Sequence, residues 1–334
     1  MRAVNWRPVA LATLVLLGVA ACGQSGSSGT KASPTTETSS GAAGAACEAV
    51  PGTELVVLKD DKSLQTVDNV IPAVNADAAT PPLLDALNAV SAALTTEKLI
   101  GLNRQTDIER KTSPNVAKEF VTSEGLAEGL SGGSGKVVVG AFNFSESQTL
   151  ANVYATALDA AGFDATVKTA GSREVVEPAL EKGELDVVPE YVGTLTEFIN
   201  KAKNGADAPP KASGDLDATV AALSELGKQA GLVFGEPSQA ADQNAFAVTK
   251  GFADKYGVAT LSELASACSS GLVLGGPAEC PERPFCQPGL EQTYGLSFDD
   301  FVTLDAGGPL SKTALQQGKV TVALVFSSDA ALSS

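Results

Sequence analysis

Carboxylates and strand-end hydroxyls are the groups best placed for chemistry in this chain, because it contains no histidine. Without imidazole the usual general base and the commonest metal ligand are missing, and hydrolytic triads of the Ser-His type are excluded. Glu190 can be paired with Asp186 or Asp329 as an acid/base couple. No nucleophile or cofactor motif accompanies them, so hydrogen bonding or loop structure is the simpler reading. Neither G-x-x-x-x-G-K-[ST] nor G-x-G-x-x-G occurs, which argues against nucleotide use. Binding is then the chemistry to look for. At Asn143-Phe144-Ser145 an apolar run turns into a helical pattern, and Ser145 with Gln148 reads as an S-x-x-Q capping box. Free N–H groups at such a helix start favour an anion.

The elements that must hold these residues are two strand-helix units. Val137 to Phe142 is a short apolar run suited to a strand buried on both faces. Behind the cap, Leu150, Val153, Tyr154, Ala157 and Ala161 recur at helical spacing, so one face of that helix packs on the sheet. A second helix, 174 to 182, leads to a strand, 186 to 188, which ends in Pro189-Glu190-Tyr191-Val192-Gly193-Thr194. Ligands of open α/β sheets sit at such carboxyl strand ends.

At these residues the chain resembles the substrate-binding proteins of osmoprotectant ABC importers, which capture glycine betaine, choline, carnitine and related quaternary ammonium compounds. The family pattern N-F-[ST]-E, G-E-[IL]-D and P-E-Y-[TV]-G-T appears as Asn143 to Glu146, Gly183 to Asp186 and Pro189 to Thr194. The likeness continues through AFAVTKGFADKYGVATLSELA and LVLGGPAECPERPFCQPGLEQTYGLSF to LDAGGPLSKTALQQGKVTVALVFSSDAAL. It implies an α/β, two-lobe periplasmic-binding-protein-like fold of type II with a hinge between the lobes. Its segment order is circularly permuted: the piece that follows the 320 to 326 strand in the family stands here at 55 to 126. AEGLSGGSG (127 to 135) joins the old ends as a flexible connector. A duplicated leftover or a faulty gene model is the alternative, but the early block supplies what the end lacks and repeats nothing.

The resemblance also implies a site. A quaternary ammonium offers no N–H donor and is held by aromatic faces, while a betaine carboxylate needs donors. Tyr191 is the first cage candidate, with Phe144 near it and Thr194 as a donor; Ser145 belongs to the same loop. Ser328 and Asp329, at the end of the 320 to 326 strand, face Tyr191 from the other lobe, although Asp329 also suits a turn cap. Asn244, Gln65 and Asp68 lie at the crossings between lobes. Two departures thin the cage: Phe246 stands where relatives carry N-x-Y-[AG], and Leu64 to Asn69 stands in place of F-P-P-Y-N. A more hydrogen-bonding solute, with Gln65, Asp68 and Asn69 facing the cleft, follows from that.

The ends and composition complete the reading. Residues 1 to 21, with Arg2, Arg7 and an apolar stretch from Val9, form a lipoprotein signal peptide. Val19-Ala20-Ala21-Cys22 resembles a lipobox, which implies lipid on Cys22. The Gly/Ser/Thr-rich stretch 22 to 46 is a disordered tether. Lys and Arg number 23 against 39 acids, a net charge of −16, which argues against nucleic acid and suits attraction of cations. In an exported chain the four remaining cysteines are oxidised. Cys280 and Cys286 close a short loop, leaving Cys47 for Cys268, and without a C-x-x-C pair a zinc site is not expected.

The expected lobes are 47 to 69 plus 245 to 334, and 70 to 244. The expected protein is an extracytoplasmic, lipid-anchored monomer on the outer face of the cytoplasmic membrane, with no cofactor or metal. It delivers a small solute to an ABC permease and its ATPase. A surface sensor or interaction protein on the same fold, or an enzyme, is the competing reading.

Overall fold

The computed structural model describes residues 45–332, so the signal peptide, Cys22, residues 22–44 of the expected tether and residues 333–334 lie outside the described residues; Ala45–Ala46, expected to end the tether, instead form a strand paired with Cys268–Ser270. The described strands are β1 (Ala45–Ala46), β2 (Leu55–Leu58), β3 (Val70–Asn75), β4 (Lys136–Phe142), β5 (Asp164–Gly171), β6 (Val187–Tyr191), β7 (Leu232–Phe234), β8 (Asn244–Thr249), β9 (Cys268–Ser270), β10 (Val273–Gly276), β11 (Asp300–Thr303) and β12 (Val322–Phe326). They build two five-stranded sheets, β5-β4-β6-β3-β7 and β11-β10-β12-β8-β2, and a small β1-β9 pair. In the first sheet β5, β4 and β6 are parallel while β3 runs antiparallel to β6 and β7. In the second, β8 runs antiparallel to both β12 and β2.

The early block is divided between the two sheets. β2 forms an edge of the second and pairs Leu55 with Thr249, whereas β3 is inserted between β6 and β7 of the first. Separate apolar cores cover the sheets, one containing Val139, Tyr154 and Val187, the other Phe246, Leu274 and Leu324, so the molecule has two lobes. The helices over the first core are α1 (Pro81–Ala93), α2 (Thr96–Asn103), α3 (Ser113–Ser123), α4 (Ser145–Ala161), α5 (Arg173–Glu181), α6 (Val192–Asn204) and α7 (Leu216–Ala230). The apolar face expected for α4 is buried along its length, Leu150 through Ala161.

Three local expectations change. The helix after Phe144 begins one residue early, with Phe144 at the N-cap and Ser145 already inside, so no Ser145–Gln148 box forms. The Phe142 amide instead donates to Ser147 Oγ at 2.9 Å. The strand expected at 186 to 188 extends to Tyr191, with Pro189 facing Pro72 across the antiparallel pair. Pro189 has no amide to offer β4, and the β4–β6 ladder is confined to Val139 and Val187. The connector 127 to 135 is mostly exposed, as a flexible join would be, but it is tied down at Gly133. The Gly133 amide donates to the Ala161 carbonyl at 2.9 Å, and a Cβ on Gly133 would stand 2.5 Å from the Phe163 ring.

Two segments cross between the lobes side by side. The Asp242 amide donates to the Asp68 carbonyl at 3.0 Å, Val70 donates to Ala240 at 2.8 Å, and Asn69 bridges Ala241. Disulfides join Cys47 to Cys268, a separation of 221 residues, and Cys280 to Cys286. Among the described residues no helix is long and apolar enough to cross a membrane.

The Cys47–Cys268 bond fastens the start of the described chain to the second lobe, and cross-links over long loops stabilise by restricting the unfolded chain. Cys47→Ser with Cys268→Ser is expected to lower unfolding stability by about 2–4 kcal/mol. Denaturant melts check this; an unchanged midpoint would mean that the bond fastens nothing that matters to the fold.

Candidate functional site

A cavity of about 520 Å³ lies where strand ends of both sheets converge. The first lobe contributes Phe142, Phe144, the start of α5 with Arg173, the end of β6 with Tyr191, and α6. The second contributes Asn244, Phe326 and the disulfide-closed loop that carries Arg283 and Phe285. Four rings lie together. Phe144 is stacked 5.8 Å from Phe142 and 6.4 Å from Tyr191, and its centroid is 5.5 Å from Phe326 of the opposite lobe. A ring face is the negative pole of its quadrupole, so the group presents a surface suited to a cation.

Behind the rings is a buried polar network. Tyr191 Oη donates to Glu146 Oε1 at 2.6 Å. Glu146 Oε2 accepts from Asn103 Nδ2 at 2.6 Å and from Ser328 Oγ at 2.5 Å, which ties the first lobe to the end of the second. The Ser328 amide donates to Asp242 at 3.0 Å. Burial pushes the carboxyls of both Glu146 and Asp242 upward; Asp242 is raised further by the neighbouring Glu146, while hydrogen bonds from Ser328, Tyr191 and Asn103 oppose the shift of Glu146. Burial and the charge of Glu146 also hold the Tyr191 phenol well above its ordinary value.

Of the three cationic side chains that line the cavity, Arg173, Lys201 and Arg283, the two arginines are paired with carboxylates. Arg173 Nε and Nη2 donate to Glu190 at 2.9 and 2.8 Å, and its guanidinium lies 5.0 Å from the Phe142 centroid. Arg283 reaches across the cleft to Glu174, 3.1 Å away, and also meets Glu279.

Of the residues named from sequence, Phe144, Tyr191, Thr194 and Asn244 line this cavity. Ser145, Ser328 and Asp329 line a second cavity of about 570 Å³, and Asn143, Phe144, Ala306 and Phe326 belong to both and form the partition. Gln65 and Asp68 line neither. Gln65 Nε2 donates to the Phe285 carbonyl at 3.1 Å. Asp68 turns away from the cleft and accepts from the amides of Gly193 and Thr194, each at 2.9 Å, and from the Thr194 hydroxyl. First-turn amides have no partner within their own helix, which is why this carboxylate is drawn there. Burial nevertheless raises Asp68 to about 6. Asn69 is tied to the Ser238 carbonyl and Phe246 is a core residue.

The acid/base couple does not form: Glu190 holds Arg173, Asp186 accepts from the Val138 amide, and Asp329 pairs with Lys312. The first turn of α4 carries Glu146, whose carboxylate serves Tyr191, Asn103 and Ser328. Sequence reasoning missed Glu146, Asp242, Arg173, Phe142 and Phe326. Glu146 stood inside the N-F-S-E motif and Phe326 at the end of its strand, the two signals that pointed to them. No cluster suited to a metal ion occurs among the described residues.

Two sheet-based lobes with an aromatic cavity at the strand ends between them define a two-lobed solute-binding fold of the periplasmic type. The chain belongs to the family described as the substrate binding domain of ABC-type glycine betaine transport systems, whose sequence model matches residues 48–123 and 135–334. It is 28% identical over 188 residues to a glycine-betaine-binding protein of Pseudomonas aeruginosa, covering 53% of this chain and 57% of that one. It is 30% identical over 202 residues to the Escherichia coli glycine betaine-binding protein YehZ, covering 58% and 64%. The matches thus span under two thirds of either relative. A solved glycine betaine/carnitine/choline ABC transporter structure is similar at 24% identity and a TM-score of 0.37, covering 57% of this chain and 68% of that one.

The raised carboxyls have a consequence for stability. The folded chain binds protons at the Glu146–Asp242 pair more tightly than an unfolded chain, whose carboxyls titrate near pH 4, so this contribution is present at low pH and is lost as pH rises through the raised folded-state values. Asp242→Asn cannot ionise and keeps an acceptor for the Ser328 amide. It is expected to be more stable than the parent by about 1 kcal/mol or more near pH 8, with the gap closing towards pH 4. Thermal melts at both pH values check this, and a variant less stable at pH 8 would contradict it.

Proposed function

We propose that the protein is an extracytoplasmic solute-binding lipoprotein of an ABC importer, anchored through Cys22, that captures an osmoprotectant such as glycine betaine, choline or a related quaternary ammonium between two closing lobes. Residues 47 to 69 and 245 to 334 form one lobe and 70 to 244 the other, in circularly permuted order. The reading is carried by the ring group of Phe142, Phe144 and Tyr191 from one lobe facing Phe326 from the other. A quaternary ammonium has no N–H to donate, so ring faces and exclusion of water are what hold it, at about 2 kcal/mol for a desolvated contact. Rings from both lobes meet only when the lobes are together, which couples capture to closure. The captured solute passes to the permease and its ATPase.

Ligands that bind only the folded state raise its melting temperature. A thermal-shift screen with choline, glycine betaine and carnitine is expected to give a dose-dependent rise for at least one, and no rise with sugars or neutral amino acids. Tyr191→Ala and Phe144→Ala should each weaken that ligand by on the order of 2 kcal/mol, about thirtyfold, while Tyr191→Phe should cost less because the ring face remains. Calorimetric affinities that stay the same in folded alanine variants would rule out the cage.

A further inference from the structure

The charges of both arginines that line the 520 Å³ cavity are already matched by carboxylates, and its polar side chains bond largely to the protein, although each guanidinium keeps N–H groups to spare. Arg173 serves Glu190, Arg283 serves Glu174 and Glu279, the Thr194 hydroxyl serves Asp68, and Asn244 Nδ2 serves the Phe285 carbonyl. A ligand carboxylate placed here would find N–H groups but no uncompensated positive charge on either arginine, and would add a negative charge beside Asp242. Lys201 also lines the cavity, but it lies ten residues along α6 from Tyr191, roughly 15 Å at helical rise, too far for a compact betaine whose ammonium rests on the rings.

Asp242 lines the same cavity with its side chain almost wholly buried, and Glu146 stands behind the Tyr191 hydroxyl. Among the described residues neither acid forms an ion pair. The groups acting on Asp242 are Glu146 and Asp68, both acidic, and Ser328, which hydrogen-bonds it; Tyr191 is also close. Arg173, which lines the same cavity, is neutralised by Glu190. Two buried carboxyls joined through Ser328 and lacking an ion-pair partner do not readily both carry charge, so the pair holds a proton. A bound monocation supplies the missing charge and lets that proton leave. A zwitterion brings its own negative charge into the same space and cancels the gain.

We propose that the cavity selects a quaternary ammonium monocation without a carboxylate, of the choline type, over zwitterionic betaines, and that Asp242, backed by Glu146, is the counter-ion that sets this preference. One cation enters, one proton passes from the Glu146–Asp242 pair to solvent, and the net charge of the closed cavity is unchanged. The proposal rests on the quaternary ammonium reading above and narrows it.

Titration calorimetry of the disulfide-bonded chain with choline, glycine betaine and carnitine, in two buffers of different ionisation enthalpy, tests both parts. Choline is expected to bind at least about tenfold more tightly than either zwitterion, with release approaching one proton per choline and affinity that rises with pH across neutrality. In Asp242→Asn the proton release should vanish, the pH dependence should flatten, and choline should bind about tenfold or more weakly. Glu146→Gln should lose most of the release as well. Preference for glycine betaine or carnitine, or choline binding without proton release in the parent chain, overturns the proposal and leaves the wider reading standing. If none of the three binds, that wider reading falls too. The parent measurements decide the matter even where a variant does not fold.

Discussion

The site depends on one buried carboxylate. Glu146 sits at the start of α4, receives the Tyr191 hydroxyl from β6 and Asn103 from α2, and reaches Ser328 beyond β12. The first three belong to one lobe and the last to the other, so this single side chain sets the Tyr191 ring and holds the lobes in register. A carboxylate buried to this extent is costly unless its lone pairs are occupied. Here three donors surround it, and the neighbouring Asp242, which Ser328 also contacts, extends the network into the crossing segment.

The crossing is stiffened by a second carboxylate. Asp68 is joined to the first amides of α6, so the strand-like segment between the lobes is fastened to the helix that begins directly after Tyr191. With the Asn69–Ala241 bridge this gives a hinge made of paired backbone rather than free chain. On the opposite wall, the disulfide-closed loop places Arg283 against Glu174 and offers the Phe285 carbonyl to Gln65 and Asn244. These contacts are partly exposed, and such pairs contribute little to stability. Their role is to position the wall.

Much of the frame was readable in the residues because it obeys local periodicity. The apolar run at Val137 to Phe142 and the helical recurrence from Leu150 to Ala161 needed no knowledge of the rest of the chain. The early block was legible for a similar reason: Leu55 to Leu58 and Val70 to Asn75 carry strand patterns whatever their order. The site was legible only in part. Tyr191 and Phe144 stood out within motifs, but Phe142 and Phe326 have the look of ordinary core residues, and nothing local says that they stack with Phe144. Glu146 and Asp242 read as solvated acids in an acidic chain; their burial comes from segments about a hundred residues apart meeting at the cleft. Asp68 was misdirected for the opposite reason. Its position at the crossing was right, but the pull of unpaired helix amides acts through space and leaves no trace in spacing.

The Phe144 ring is shared by two chambers, one of about 520 Å³ and one of about 570 Å³. Its orientation is a side-chain torsion with only a few staggered minima. The longest solute that fits is therefore not a fixed property of the backbone. Asn143, Ala306 and Phe326 share the partition with the Phe144 ring, so the division between the two compartments is made by side chains of both lobes rather than by backbone alone. A substitution at Phe144 therefore changes the wall of both compartments at once and removes its stacking on Phe142 and Tyr191.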